Sequence, residues 1–230
     1  MSWNPFGTVS SYKEMLTKIA TFTFVSTVAG LGLLSYLIPD VSSFFRRWPV
    51  KIPVEGLELP LFIIVAGLVF AILARIIKLH DRISDIVGLR RRFDVAHVLS
   101  PMATSVGVAV ADGTLKKHRR ELMRRVFYRY ASSSQPVIDQ HYVTMAMDQW
   151  SWFWVLVESI PIWMGVGVVL VVYDRYVAAG LIVAGLFGVA IMLTWSWILS
   201  CKYAKQQVDE ILSDAGRRRE IAGALNALPS

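Results

Sequence analysis

Four apolar runs, each long enough to cross a bilayer, constrain this chain more than any other feature. They fall at residues 19–37, 61–79, 150–173 and 176–201, two before and two after a long stretch, Lys78 to Asp148, that has none. At about 1.5 Å per residue, a run of this length matches a hydrocarbon core of about 30 Å. Lipid offers no partners for backbone N–H and C=O groups, so the runs are expected as helices that pair them internally. The expected fold is all-α: an integral membrane protein of four transmembrane helices, with a basic helical cytoplasmic domain between spans 2 and 3.

Composition agrees. The chain is 55% hydrophobic and only 18% charged, too apolar for an ordinary soluble domain, so its net charge of +7 is concentrated in the little that is not apolar. The single cysteine, Cys201, excludes a disulfide framework within the chain and a cysteine-rich metal site.

Residues 1–18 read as a leader carrying Lys13, Glu14 and Lys18. The run after it is longer than the apolar core of a secretory signal, and no small-x-small cleavage site follows before Pro39, so it reads as the first span. Gly30 and Gly32, with Ser26 and Ala29, suit the close approach of another helix. Pro39 and Asp40 end it. Phe44, Phe45 and Trp48 in the following linker suit a membrane interface, and Pro60 suits the first turn of span 2.

Span 2 is uncharged up to Arg75. Ile83, Ile86, Val87, Leu89 and Phe93 continue an apolar period, which predicts one unbroken helix leaving the bilayer as an amphipathic rod. Ser100-Pro101 then signals a helix start and Asp112-Gly113 its stop. Leu115 to Tyr130 reads as a third element, with a stripe of Leu115, Leu122, Met123, Val126, Phe127 and Tyr130 and seven Lys and Arg elsewhere.

A last helix from Pro136 is expected to run straight into span 3. Asp174-Arg175 leaves room for only a tight turn, so spans 3 and 4 are antiparallel neighbours. In span 4, Ala184, Gly185 and Gly188 form a small-residue face for helix packing. The tail, 202–230, is amphipathic and divided at Gly216. The organisation is thus a leader (1–18), a first transmembrane hairpin (19–79), a basic domain (80–148), a second hairpin (149–201) and the tail.

Charge sets the orientation. The leader, the middle stretch and the tail hold nineteen Lys and Arg, against four in the two hairpin linkers. The cationic side is expected to face the cytoplasm, with both termini, as in a bacterial inner membrane. Trp150, Trp152, Trp154, Trp195 and Trp197 read as an aromatic belt on that side, and Tyr173 and Tyr176 as one on the other.

Glu158 is the sharpest candidate for chemistry. It lies about 12 Å into span 3 by helical rise, with Pro161 beyond it, and an acid at that depth marks either a structural pair or an ion pathway. Arg75, near the end of span 2, is its expected partner in an intramembrane polar pair. The clusters Arg90-Arg91-Arg92, Lys116-Lys117, Arg119-Arg120 and Arg124-Arg125 suit anionic lipid headgroups or a soluble cytoplasmic protein partner. Nucleic acid or a nucleotide is a lesser alternative, since Phe127, Tyr128 and Tyr130 could stack on bases. Neither dinucleotide nor P-loop glycine spacing is present. The pair His80-Asp81 suits metal hydrolases, but His97, His118 and His141 supply no recognisable spacing for further ligands. No catalytic, metal or cofactor motif stands out, so no cofactor is expected.

The layout is similar to small four-span membrane subunits that some prokaryotic defence and signalling systems pair with a soluble partner. That resemblance implies a non-enzymatic, oligomeric membrane component whose basic helices bind a partner or receive a signal. The alternative is a channel, transporter or membrane-permeabilising effector with Glu158 in its pathway; a membrane enzyme is the third reading.

Overall fold

The computed structural model describes residues 6–46, 51–54 and 57–228. Trp48, Arg47, Glu55 and both chain ends therefore lie outside the described residues.

The elements follow in order: α1 (Tyr12–Leu37), α2 (Pro39–Arg46), β1 (Lys51–Val54), β2 (Leu57–Pro60), α3 (Leu61–Ile76) and α4 (Leu79–Val87). Next come α5 (Leu89–Asp94), a π-helical turn (Val95–Leu99), α6 (Ser100–Ser105), α7 (Asp112–Lys117), α8 (Arg119–Leu122) and a second π-helical turn (Met123–Phe127). The long helices α9 (Gln140–Val172) and α10 (Tyr176–Leu212) precede α11 (Ala215–Asn226). The all-α expectation needs one amendment. Strands β1 and β2 pair antiparallel, Lys51 opposite Pro60 and Val54 opposite Leu57, where only a loop was expected.

Helices α1, α9 and α10 are long and apolar enough to cross a membrane. A fourth span exists only if α3 and α4 count together, because the two are bent by 55° at the break between them. The unbroken rod is not what forms. Lys78 takes a left-handed φ of 50°, which stops α3, and Gly88, at φ 66°, stops α4. Glycine adopts that conformation at no steric cost, whereas lysine does so only against a penalty. Ile86, 86% exposed, and Val87 point outward rather than continuing an apolar face. Ser84 and His80 are instead the buried side chains of α4.

The chain forms two compact units. The first comprises residues 16–80 and 151–195 among those described. Two close approaches organise it. A Cβ at Gly30 would lie 2.8 Å from a Val166 methyl, so α1 and α9 meet backbone to side chain there. A Cβ at Gly67 would lie 2.6 Å from Val28, so α3 seats equally closely on α1. Leu34, Ile38, Val166, Leu170 and Ala179 close a small apolar core across α1, α9 and α10. Phe44, Phe45 and Phe62 stack in tilted and edge-on pairs beside it.

The second unit comprises residues 6–15, 81–150 and 196–228. Its core contains Phe93, Leu99, Met102, Leu115, Leu122, Met123, Val126, Phe127, Ile211, Ile221 and Leu225. The expected stripe from Leu115 to Tyr130 is buried throughout. It is not one helix, however: α7, α8 and a π-turn share it. Helix α6 does start at Ser100-Pro101, but directly out of the preceding π-helical turn and with no loop before it. The Ser100 N–H reaches back five residues to the Val95 carbonyl, and this wider turn accommodates the proline ring within a continuing helical run. That run ends at Gly107, φ 74°, and Asp112-Gly113 opens α7 instead of closing α6. The helix of span 4 runs past Cys201 to Leu212, and Asp214 rather than Gly216 marks the next start: its carboxylate accepts the Arg217 N–H at 2.8 Å, an N-cap for α11.

Most of the tryptophans expected in a belt are engaged in packing. Trp150 and Trp197 pack on Phe93 at ring separations of 4.7 and 5.2 Å in the second unit. In the first, Trp154 is buried and Trp152 lies under the Lys18 ammonium, 3.9 Å from it. Trp195, Tyr173 and Tyr176 remain exposed.

Candidate functional site

Glu158 sits on α9 inside the first unit and is 3% exposed. An isolated carboxylate there would be costly, so its partners decide what it is. The Thr23 hydroxyl on α1 donates to one carboxylate oxygen at 2.8 Å. His80 Nδ1 lies 3.7 Å from the other, and the His80 backbone N–H reaches the same group. Ser26 and Ser159 meet at 3.5 Å, and Lys18 is buried on the same helix as Thr23.

The expected Arg75 partner is thus replaced by His80. Arg75 is exposed on α3, and no described contact joins it to Glu158. The break at Lys78 is the physical reason. It starts a new helix at Leu79, whose first backbone N–H groups have no intrahelical acceptor. A carboxylate is a good partner for that positive end, and Glu158 supplies it from another helix. Thr23 and His80 were missed as its partners because nothing at Ile77-Lys78 in the sequence signals a break.

The basic clusters lie on the second unit and divide into engaged and unengaged groups. Arg119 holds the buried Asp94 at 2.6 Å. Burial pushes the Asp94 carboxyl above its ordinary range, and Arg90 and Arg119 pull it partly back. Arg90 also touches Asp81 and the Tyr128 hydroxyl, each at 3.4 Å, and Arg125 pairs with Glu121 at 3.2 Å. Arg91, Arg92, Lys116, Lys117, Arg120 and Arg124 are exposed and form no ion pair among the described residues. Asp94 was the missed member; its signal was a lone acid between Phe93 and Val95.

The tail joins this unit through the Tyr130 hydroxyl, which donates to Glu220 at 2.6 Å, and through Arg129, 3.1 Å from the same carboxylate. Tyr130, one of the proposed stacking residues, and Phe127 are buried, leaving Tyr128 as the exposed ring of the three. His97 faces the Cys201 thiol at 3.4 Å and packs between Phe93 and Trp197. Among the described residues no group of three or more His, Cys, Asp or Glu could hold a metal ion. On α10, Ala184 and Gly185 are exposed, and a Cβ at Gly185 or Gly188 would meet nothing within 4 Å among the described residues.

Apolar helices of membrane length, a buried carboxylate on one of them and a compact basic helical unit are the features of a helical membrane protein. The chain belongs to the YmfE protein family, which matches it over residues 11–223. No curated protein and no solved structure matches it.

Proposed function

We propose that this chain is a non-enzymatic component of a bacterial inner membrane whose basic helical unit faces the cytoplasm and receives an anionic partner or signal. The observation that carries the reading is the division of the arginines and lysines. Arg119 is engaged in a buried ion pair and Arg125 in an exposed one, while Arg91, Arg92, Lys116, Lys117, Arg120 and Arg124 are exposed without an ion pair among the described residues. A soluble acidic protein and anionic headgroups are the partner classes that suit it. Nucleic acid is less favoured, because two of the three candidate stacking rings are buried.

Self-association belongs to the same proposal. Leu181, Phe187, Ile191 and Trp195 are exposed along α10, beside the open Ala184, Gly185 and Gly188 face, and suit lipid together with a second copy. A reporter fused at Ser230 tests the topology: activity of a cytoplasm-dependent reporter is expected, and activity of a periplasm-dependent one would overturn it.

A second reading is favoured by one specific observation. Glu158, Thr23 and His80 meet beside a broken helix, an arrangement that also suits an ion or proton pathway. Conductance of proteoliposomes that is lost in Glu158→Gln would establish that reading in place of the first.

A further inference from the structure

One concavity in the second unit gathers four of the unengaged cations. It has a volume of about 480 Å³ and is walled by Arg91 on α5 and by Lys116, Lys117, Arg119 and Arg120 around the α7–α8 junction. Two acids, Asp85 and Glu121, share the lining. Their charges do not neutralise it. Glu121 is paired with Arg125, and Arg119 is paired with Asp94, which leaves four cations against Asp85.

The Arg119–Asp94 bond is buried, so it fixes the wall on which the other side chains stand. Gly88, in its left-handed turn, opens the opposite side: a Cβ there would sit 3.4 Å from the Arg91 guanidinium. His118 adds a polar atom, since its Nε2 is buried in the same lining with no hydrogen-bond partner.

We infer that this cavity binds a phosphate group, carried either by an anionic lipid headgroup or by a soluble phosphate ester. The inference rests on the proposed cytoplasmic basic unit and names what that unit recognises. Four like charges converging on one concavity repel one another, and an anion of more than one negative charge turns that repulsion into binding. Arginine presents a planar fork that matches phosphate oxygens, and lysine adds point charge, so Arg91, Arg120, Lys116 and Lys117 together fit phosphate better than a single carboxylate. The volume falls within the ordinary range for small-ligand sites. The lining holds no Phe, Tyr or Trp, so it has no platform for a base. Recognition is therefore of the phosphate and not of a nucleobase.

The test uses the full-length protein in nanodiscs of phosphatidylcholine, titrated with pyrophosphate by calorimetry. Saturable, salt-sensitive binding is expected, with a loss of about tenfold or more in the triple variant Lys116→Gln, Lys117→Gln, Arg120→Gln. These side chains are exposed and form no ion pair among the described residues, so the variant should melt with the wild type. The variant Lys202→Gln, Lys205→Gln removes two exposed cations on α10, outside the cavity lining, and should bind within about twofold of wild type. Repeating the titration in nanodiscs containing phosphatidylglycerol separates the sources. Suppressed pyrophosphate binding there identifies the lipid headgroup as occupant, and unchanged binding identifies a soluble phosphate ester. Absence of binding in phosphatidylcholine, or equal losses in both variants, would overturn the inference. Correct topology of the Ser230 reporter together with either result would leave the broader reading standing without this ligand.

Discussion

Asp94 and Arg119 show how a single ion pair can fix a basic surface. Both side chains are largely withdrawn from water, and the 2.6 Å contact offsets the cost of burying the carboxylate. Replacing Arg119 by Leu should therefore cost about 3–5 kcal/mol, and adding Asp94→Asn should recover much of it. The pH dependence has a definite sign. Asp94 binds its proton more tightly in the folded state than at its ordinary value of 3.8, so its contribution is full below that pH and lost as pH rises through the raised value. Losing Arg119 raises the value further, so the deficit of Arg119→Leu should shrink as the medium is acidified. A deficit independent of pH would contradict the pairing. Glu158 obeys a related logic. Glu158→Gln keeps an acceptor for the Thr23 hydroxyl and should fold normally, whereas Glu158→Leu strands that hydroxyl and should cost about 1–3 kcal/mol in thermal unfolding. Equal stability of the Leu variant and the wild type would remove Glu158 as a structural pin. The depth of Glu158 was legible in the sequence because an acid in an apolar run needs only helical rise to be placed. Its partner was not, because choosing His80 over Arg75 requires knowing where the chain bends.

At the scale of elements, legibility follows the strength of the local signal. The helix expected from Pro136 was legible in kind but not in its start: α9 begins at Gln140, where the Asp139 carboxylate accepts the His141 N–H at 2.8 Å and caps it. The α9–α10 turn was plain, and Asp174 takes the left-handed conformation there. The breaks at Lys78 and in the second π-turn carried no glycine or proline signal of their own; packing imposes them over local preference. Lys78 offers the sharpest test. Lys78→Gly should be neutral or stabilising by up to about 1 kcal/mol, because glycine reaches φ 50° without strain. Lys78→Val should cost about 1–2 kcal/mol, since a β-branched residue fits that region poorly. Equal melting of the Val and Gly variants would show that the α3–α4 break does not hold that conformation.

For the whole molecule, the four-span expectation reduces to three helices of sufficient length and hydropathy plus one bent pair, and the charge asymmetry decides how they would sit. Crosslinking from a cysteine placed at Gly185 should trap a second copy, because a Cβ there meets nothing within 4 Å among the described residues; monomer alone would count against self-association. The orientation of the basic unit governs every functional statement made for it, and thiol labelling reads it directly. In a Cys201→Ser background, single cysteines at Lys117 and at Asp174 would be exposed to a membrane-impermeant maleimide in intact cells. Asp174→Cys should label at once, and Lys117→Cys only after the membrane is permeabilised. Labelling of Lys117→Cys in intact cells would place the basic unit outside the cytoplasm and contradict the proposed function.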